Sequence, residues 1–323
     1  MPEAPALRVL FFGTPRFALP SLRALCASRH QVVGVVSQPD RPRGRGRKLE
    51  PTPAHAEAKR LSLPLLQPER VGETAALAWM RERAPDLGCV VAFGQFLPRQ
   101  VRELPQHGLI NAHASLLPRY RGAAPVAHAL LAGEERTGVT VIRIEKEMDA
   151  GDWCARRELE IEPGENAGSL EERLATLAGP LLAESVDRIA GGLARFVPQN
   201  PAEASSAPKL TRGFGELDWT ASVSAVLLRI RAATPRPGVR VRLREAGLEF
   251  RILEARQFGG PAPDPRPRAA LGHPGTGASA LLLGALDGWV EVLRLQVAGR
   301  RPTTAAEFLR GARLSETEEI EAK

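Results

Sequence analysis

Asn111 and His113 stand one residue apart at the end of an apolar run, Gly108-Leu109-Ile110. In an extended strand, side chains two positions apart share a face. One strand end therefore presents an amide and an imidazole together, ahead of a loop that begins at Ser115. The amide can donate a hydrogen bond to an oxyanion, and the imidazole can carry a proton near neutral pH. The pair suits acyl-type transfer through a tetrahedral intermediate. His30, His55, His107, His128 and His273 stand in no comparable context.

A second group of residues offers chemistry of another kind. Gln38 to Lys48 reads Gln-Pro-Asp-Arg-Pro-Arg-Gly-Arg-Gly-Arg-Lys, so Arg41, Arg43, Arg45, Arg47 and Lys48 place five positive charges within eight residues. Such a loop is exposed, and its glycines let it order on a partner. The formal charge of the chain is +7. Residues 207–323 hold 18 Lys+Arg against 13 Asp+Glu, a balance of +5, and the longer remainder carries +2. Basic surface of this kind draws phosphate polymers.

The elements that must position these residues alternate along the first two hundred positions. Strands are expected at Leu7–Phe12, Val32–Ser37, Leu87–Phe93, Leu109–His113, Val139–Glu145 and Trp153–Ile161. Helices are expected at Phe17–Ala27, Thr74–Arg83 and Ala167–Gly191. The alternation predicts an α/β class: a mainly parallel, doubly wound, Rossmann-like sheet, with ligands beyond the carboxyl ends of its strands. Asn111 and His113 lie at such an end. Pro198 to Pro208 reads as a linker. The domains are thus expected at 1–197 and 209–323. The second holds one helix (about Ser222–Ala232) and short strands at Arg240–Leu243, Phe250–Ala255, Ala280–Leu286 and Trp289–Gln296. This is the pattern of a small β-barrel of OB type. The Pro- and Gly-rich stretch 259–277 is expected to be a mobile loop.

Cys26, Cys89 and Cys154 form no Cys-x-x-Cys, and there is no His-x-x-x-His. Both facts argue against a disulfide framework and a zinc site, so no metal is expected. No apolar run has the length that spans a bilayer, and no signal peptide is read at the N-terminus. A reducing, cytoplasmic setting follows as the expectation.

Asn111-x-His113-x-Ser115-Leu116-Leu117-Pro118, Thr137-Gly138-Val139-Thr140 and Met148-Asp149-Ala150-Gly151-Asp152 occur in that order, and together they resemble the signature of folate-dependent formyltransferases. The resemblance implies that Asp149 completes a catalytic trio with Asn111 and His113. It also implies 10-formyltetrahydrofolate as co-substrate, its pterin beside Phe93, Gly94, Gln95, Phe96 and Leu97. Ser115, Leu116, Leu117 and Pro118 would form a loop over the site. An apolar, partly aromatic strand end suits a flat heteroaromatic ring.

The basic loop resembles the one by which methionyl-tRNA formyltransferases hold the acceptor stem, with Arg45 singled out. Ala207-Pro208-Lys209-Leu210-Thr211, Leu217-Asp218-Trp219 and Leu295 to Arg301 extend the likeness over most of the chain. The activity implied is formyl transfer to the α-amino group of methionyl initiator tRNA; a monomer is the simplest expectation. Two rivals differ in acceptor or in class. One is a folate-dependent formyltransferase acting on an amino sugar nucleotide, which five exposed cations disfavour. The other is a non-catalytic RNA-binding protein on the same scaffold, which the intact trio disfavours.

Overall fold

Val9 to Phe12 is an unbroken apolar run, and all four residues are buried. They belong to an inner strand, β1 (Arg8–Gly13), of a seven-stranded sheet in the computed structural model. The structure describes residues 5–43, 48–259, 268–272, 280–312 and 317–320. After β1 come α1 (Leu19–Cys26), β2 (Gln31–Val36), β3 (Arg41–Arg43), β4 (Lys48–Glu50), α2 (Pro53–Arg60), β5 (Leu65–Leu66), α3 (Thr74–Glu82) and β6 (Leu87–Val91). Then follow α4 (Arg99–Arg102), β7 (Leu109–His113), α5 (Pro125–Leu131), β8 (Arg136–Arg143), β9 (Trp153–Glu160) and α6 (Ala167–Ala190).

The large sheet has the order β5-β2-β1-β6-β7-β8-β9. Its first five strands run parallel, and β8 and β9 add antiparallel. The strand order reverses at β1, so the turns after β1 and β6 flank the switch point where such sheets bind ligands. Thr14, in the first turn, donates its hydroxyl to the Phe93 carbonyl in the second at 2.8 Å. Beneath these turns Leu10, Phe12, Val36, Met80, Val90 and Phe93 pack in one apolar cluster. The Phe12 and Phe93 rings meet edge to face at 5.6 Å.

The chain divides into two compact units: Met1–Pro125, Arg136–Glu160 and Glu171–Pro208 form one, and Val126–Glu135, Ile161–Leu170 and Lys209–Lys323 the other. The second unit contains α7 (Val223–Ala233), β10 (Val239–Leu243), β11 (Leu248–Phe258), β12 (Arg268–Gly272), β13 (Ala280–Ala285), β14 (Gly288–Val297), β15 (Thr303–Thr304), α8 (Ala305–Gly311) and β16 (Thr317–Glu319). Its antiparallel sheet runs β10-β11-β14-β13-β12-β16. It curls until Leu243 and Ile320 pair across its two edges. This is the barrel-like architecture expected. β10 alternates buried and exposed residues, with Val239, Val241 and Leu243 inside and Arg240 and Arg242 outside.

Two readings of the sequence are corrected. The stretch 259–277 contains a strand, β12, paired to β13 and β16. Its alternating Gly and Pro neighbours hid it, and residues 260–267 and 273–279, with the expected mobility, lie outside the described residues. The basic loop is flanked by strands as well: β3 pairs antiparallel with β4, Arg41 opposite Glu50 and Arg43 opposite Lys48.

α2 is tied to α1 by a buried acid. Glu57 accepts from Arg23 at 2.7 Å and from Arg60 at 2.7 Å. Those bonds, Arg23 first, outweigh burial and hold its carboxyl down at about 2. Glu57→Gln is expected to lose about 1–2 kcal/mol at pH 7, discounted because both arginines are largely exposed. The folded carboxyl titrates below its ordinary value of 4.5, so the contribution is complete above that value and fades as pH falls toward about 2. Urea unfolding at pH 7 and near pH 3 checks this; the difference between the proteins must shrink in acid.

Candidate active site

β7 outruns β6. Their pairing ends at Val90 with Asn111, and β7 continues two residues further, held on its other side by β8. Asn111 and His113 therefore share one face of a strand end that is open on one edge. Asn111 is partly exposed, and its amide has no hydrogen-bond partner among the described residues. His113 is only 6% exposed. Its Nε2 lies 2.9 Å from the Tyr120 carbonyl oxygen. A carbonyl only accepts, so Nε2 carries the proton and Nδ1 is the free ring nitrogen. Nδ1 faces Asp149 Oδ2 at 3.7 Å. That oxygen accepts the Gly122 N–H at 2.8 Å. His113 and Asp149 thus face each other, and Asn111 shares the strand face of His113.

Residues 115–118 lie against β8. Thr140, fully buried, donates to the Ser115 carbonyl at 2.7 Å and accepts the Leu117 N–H at 3.1 Å. Ser115 Oγ donates to the Arg119 carbonyl at 2.7 Å. Leu117 and Pro118 are buried and Leu116 half-buried. The loop is built on hydroxyls behind it, with the Ser115, Leu116 and Pro118 carbonyls and the Leu117 N–H engaged.

Beyond β6, burial alternates. Phe93 and Leu97 point into the apolar core, and Ala92, Gly94 and Phe96 are exposed. Gln95 is committed elsewhere: it accepts the Val71 N–H at 2.8 Å and donates to the Pro68 carbonyl at 3.0 Å. Of the five residues picked here, Gly94 and Phe96 offer surface. Phe93, Gln95 and Leu97 hold the ledge that carries them.

Arg41 is exposed and pairs with the equally exposed Glu69 at 2.7 Å. Arg43 and Lys48 are placed by backbone only, in β3 and β4. Arg45 and Arg47 lie outside the described residues. The hairpin's root is a network on Asp40, which accepts from Thr52 N–H, Gln67 and His55 at 2.9, 2.7 and 2.8 Å.

The family described as "Formyl transferase" matches residues 7–186, and "Formyl transferase, C-terminal domain" matches 209–313. The chain belongs to the formyl transferase family. A relative in Halorhodospira halophila named "Methionyl-tRNA formyltransferase" is 42% identical, over 98% of this chain and all of its own. One of the same name in Geobacter sulfurreducens is 40% identical over 95% of each chain. Among solved structures, HypX from Aquifex aeolicus in complex with tetrahydrofolic acid gives a TM-score of 0.62 at 19% identity, over 98% of this chain and 51% of that one. WlaRD, a sugar 3N-formyl transferase, gives 0.65 at 14% identity, over 92% of this chain and 100% of that one. At such identities the likeness is one of fold.

Sequence reading gave no role to Thr140, Tyr120, Arg121, Gly122 or Gln199 in this formyl transferase. Thr140 had a signal, as the last residue of Thr137-Gly138-Val139-Thr140, and Tyr120 to Gly122 stand in the same stretch, 111–122, as Asn111 and His113. Thr140→Val keeps the shape but removes both hydrogen bonds. We expect a loss of about 1–3 kcal/mol for each of the two buried backbone groups left unpaired, the Ser115 carbonyl and the Leu117 N–H. Amide exchange at Leu117 should speed up selectively; unchanged exchange there would sink the assignment.

Proposed function

We propose that this chain moves the formyl group of 10-formyltetrahydrofolate to the α-amino group of methionyl initiator tRNA, for translation initiation. The observation that carries the reading is the meeting of Asn111 and His113, at one strand end, with Asp149. It occurs on a chain whose relatives of matching length are named for that reaction.

The ledge Ala92, Gly94 and Phe96 fits a flat ring: it is exposed, backed by apolar core, and rigidly held by Thr14 and Gln95. Phe93 to Leu97 would hold the folate on one side and Ser115 to Pro118 on the other. Bound folate supplies the formyl carbon at the oxidation level of a carboxylic acid.

The chain's own residues supply the rest. The Asn111 amide donates to the oxygen that gains negative charge; its freedom from protein partners fits that task. His113 has Nε2–H fixed on the Tyr120 carbonyl, so Nδ1 is the position that, once protonated, gives its proton to the folate nitrogen as the bond from that nitrogen to the formyl carbon breaks and the bond to the amine forms. Asp149 has one oxygen on Gly122, and its other oxygen accepts a proton from the incoming amine.

Arg41, Arg43, Arg45, Arg47 and Lys48, with the arginines of the second unit, would hold acceptor phosphates. We place the protein in the cytoplasm as a monomer. Burial raises the thiols of Cys26, Cys89 and Cys154, which suits unpaired cysteines in a reducing compartment.

The test is formyl transfer to methionylated initiator tRNA at about 50 and about 200 mM salt. Transfer should fall steeply with salt. Asn111→Ala should lower kcat by about 10²–10³. Arg45→Ala should weaken tRNA binding and flatten the salt slope by about one unit. Absence of transfer to tRNA, with folate still bound, would move the acceptor to a small amine.

A further inference from the structure

Asp149 has φ = 52°, a left-handed backbone that aspartate tolerates better than most residues with a Cβ and that surrounding bonds hold here. The bonds that hold it come from Gln199, within the segment 198–208 read from sequence as a linker. Gln199 Nε2 donates to the Asp149 carbonyl at 2.8 Å and to the Gly151 carbonyl at 2.7 Å. Its Oε1 accepts from Arg121 Nε at 3.1 Å and from Arg121 Nη2 at 2.7 Å. Carbonyls only accept and a guanidinium only donates, so the orientation of the Gln199 amide is fixed and all its hydrogen-bonding positions are used.

The same segment grips the other loop of the site. Arg121 N–H donates to the Ser205 carbonyl at 2.8 Å, and Ala207 N–H donates to the Arg121 carbonyl at 2.6 Å. Tyr120 N–H donates to Ser205 Oγ at 2.9 Å. Ahead of Gln199, Val197 and Trp153 exchange backbone bonds at 2.9 and 3.0 Å. Gln199 sits between the two loops and touches each.

We propose that Gln199 is a positioning residue for formyl transfer. Its amide clamps the strained turn at Asp149 and ties that turn, through Arg121, to the loop whose Tyr120 carbonyl orients His113. The proposal rests on the formyl transfer reading. It predicts a role that passes through Asp149, since Gln199 reaches the site by the backbone of that residue.

Gln199→Glu is the discriminating variant. It keeps shape and keeps an acceptor for Arg121, but sets an oxygen against two carbonyl oxygens. The measurement is formyl transfer by the full chain, with kcat and both KM values, in the wild-type and Asp149→Asn backgrounds. We expect kcat to fall about tenfold or more, with both KM values within about twofold. In the Asp149→Asn background the further loss should be under about twofold, because residues acting as a unit are not additive.

A kcat within twofold of wild type would overturn the proposal. So would a full further loss in the Asp149→Asn background, or a rise in KM that accounts for the loss. Gln199→Leu, which removes the donors without adding charge, repeats the cycle should the glutamate variant fail to fold. Wild-type transfer is measured alongside. Its absence would refute the formyl transfer reading itself; its presence with an indifferent Gln199 refutes only this inference.

Discussion

From Tyr120 to Gly122 the backbone serves two side chains at once. The Tyr120 carbonyl accepts a hydrogen bond from His113 Nε2–H, and two residues on, the Gly122 N–H donates to the Asp149 carboxylate. The imidazole and the carboxylate, one from β7 and one from the turn before β9, are fixed relative to each other by a single short piece of chain. Their direct separation of 3.7 Å is longer than a hydrogen bond. The shared backbone, and no direct bond between them, sets their geometry. Residues 205–207 in turn hold that backbone from the other side.

Holding it requires conformations that the chain does not favour. Ala92, Tyr120 and Asp149 all have positive φ, and each lies beside the proposed chemistry. Such residues cost about 1–3 kcal/mol apiece and persist only where surrounding bonds outnumber the alternatives. Gly122 has φ = 123°, and a Cβ there would lie 2.6 Å from the Ala207 carbonyl oxygen. Glycine at 122 thus admits the 205–207 segment to backbone contact, and that contact then pins Arg121. The strain at Tyr120 and the close approach at Gly122 have one origin: residues 118–122 are bonded on one side to the strand-end histidine and on the other to residues 205–207.

What the sequence made legible was whatever repeats at short range. β7 was readable because side chains alternate with period two, and that placed Asn111 with His113. α6 was readable from its helical spacing. The antiparallel direction of β8 and β9 was not, because a strand's sequence carries no mark of its neighbour's direction. Gln199 was invisible for a related reason. Its partners lie 50 and 48 residues away, and nothing in Pro198-Gln199-Asn200 distinguishes a clamp from a tether. Composition read residues 198–208 as polar and Pro-rich. The structure uses that composition differently: Pro201 opens a short 3-10 turn over 201–203, and the backbone groups of 205 and 207 pair with a loop instead of a sheet. Phe93 and Leu97 show the converse limit, since an apolar run beside a site reads the same whether its side chains face ligand or core.

The arginines divide by the exposure of the acids they meet. Arg23 and Arg60 end on Glu57, whose side chain is 7% exposed; withdrawing either would leave a buried carboxylate short of partners. Arg41 ends on Glu69, whose side chain is 66% exposed. A pair of that kind adds little to stability and is screened by salt. A phosphate oxygen can therefore replace Glu69 on Arg41 without stranding a charge. The root of the hairpin is built the other way. Burial pushes the Asp40 carboxyl up, but bonds from Gln67, Thr52 and His55 together push it further down, below the ordinary value. Asp40 thus stays ionised at neutral pH and fully occupied at the base. A hairpin fixed at its root by a saturated carboxylate, with an exchangeable partner on Arg41 next to that root, is suited to a ligand that brings its own negative charge.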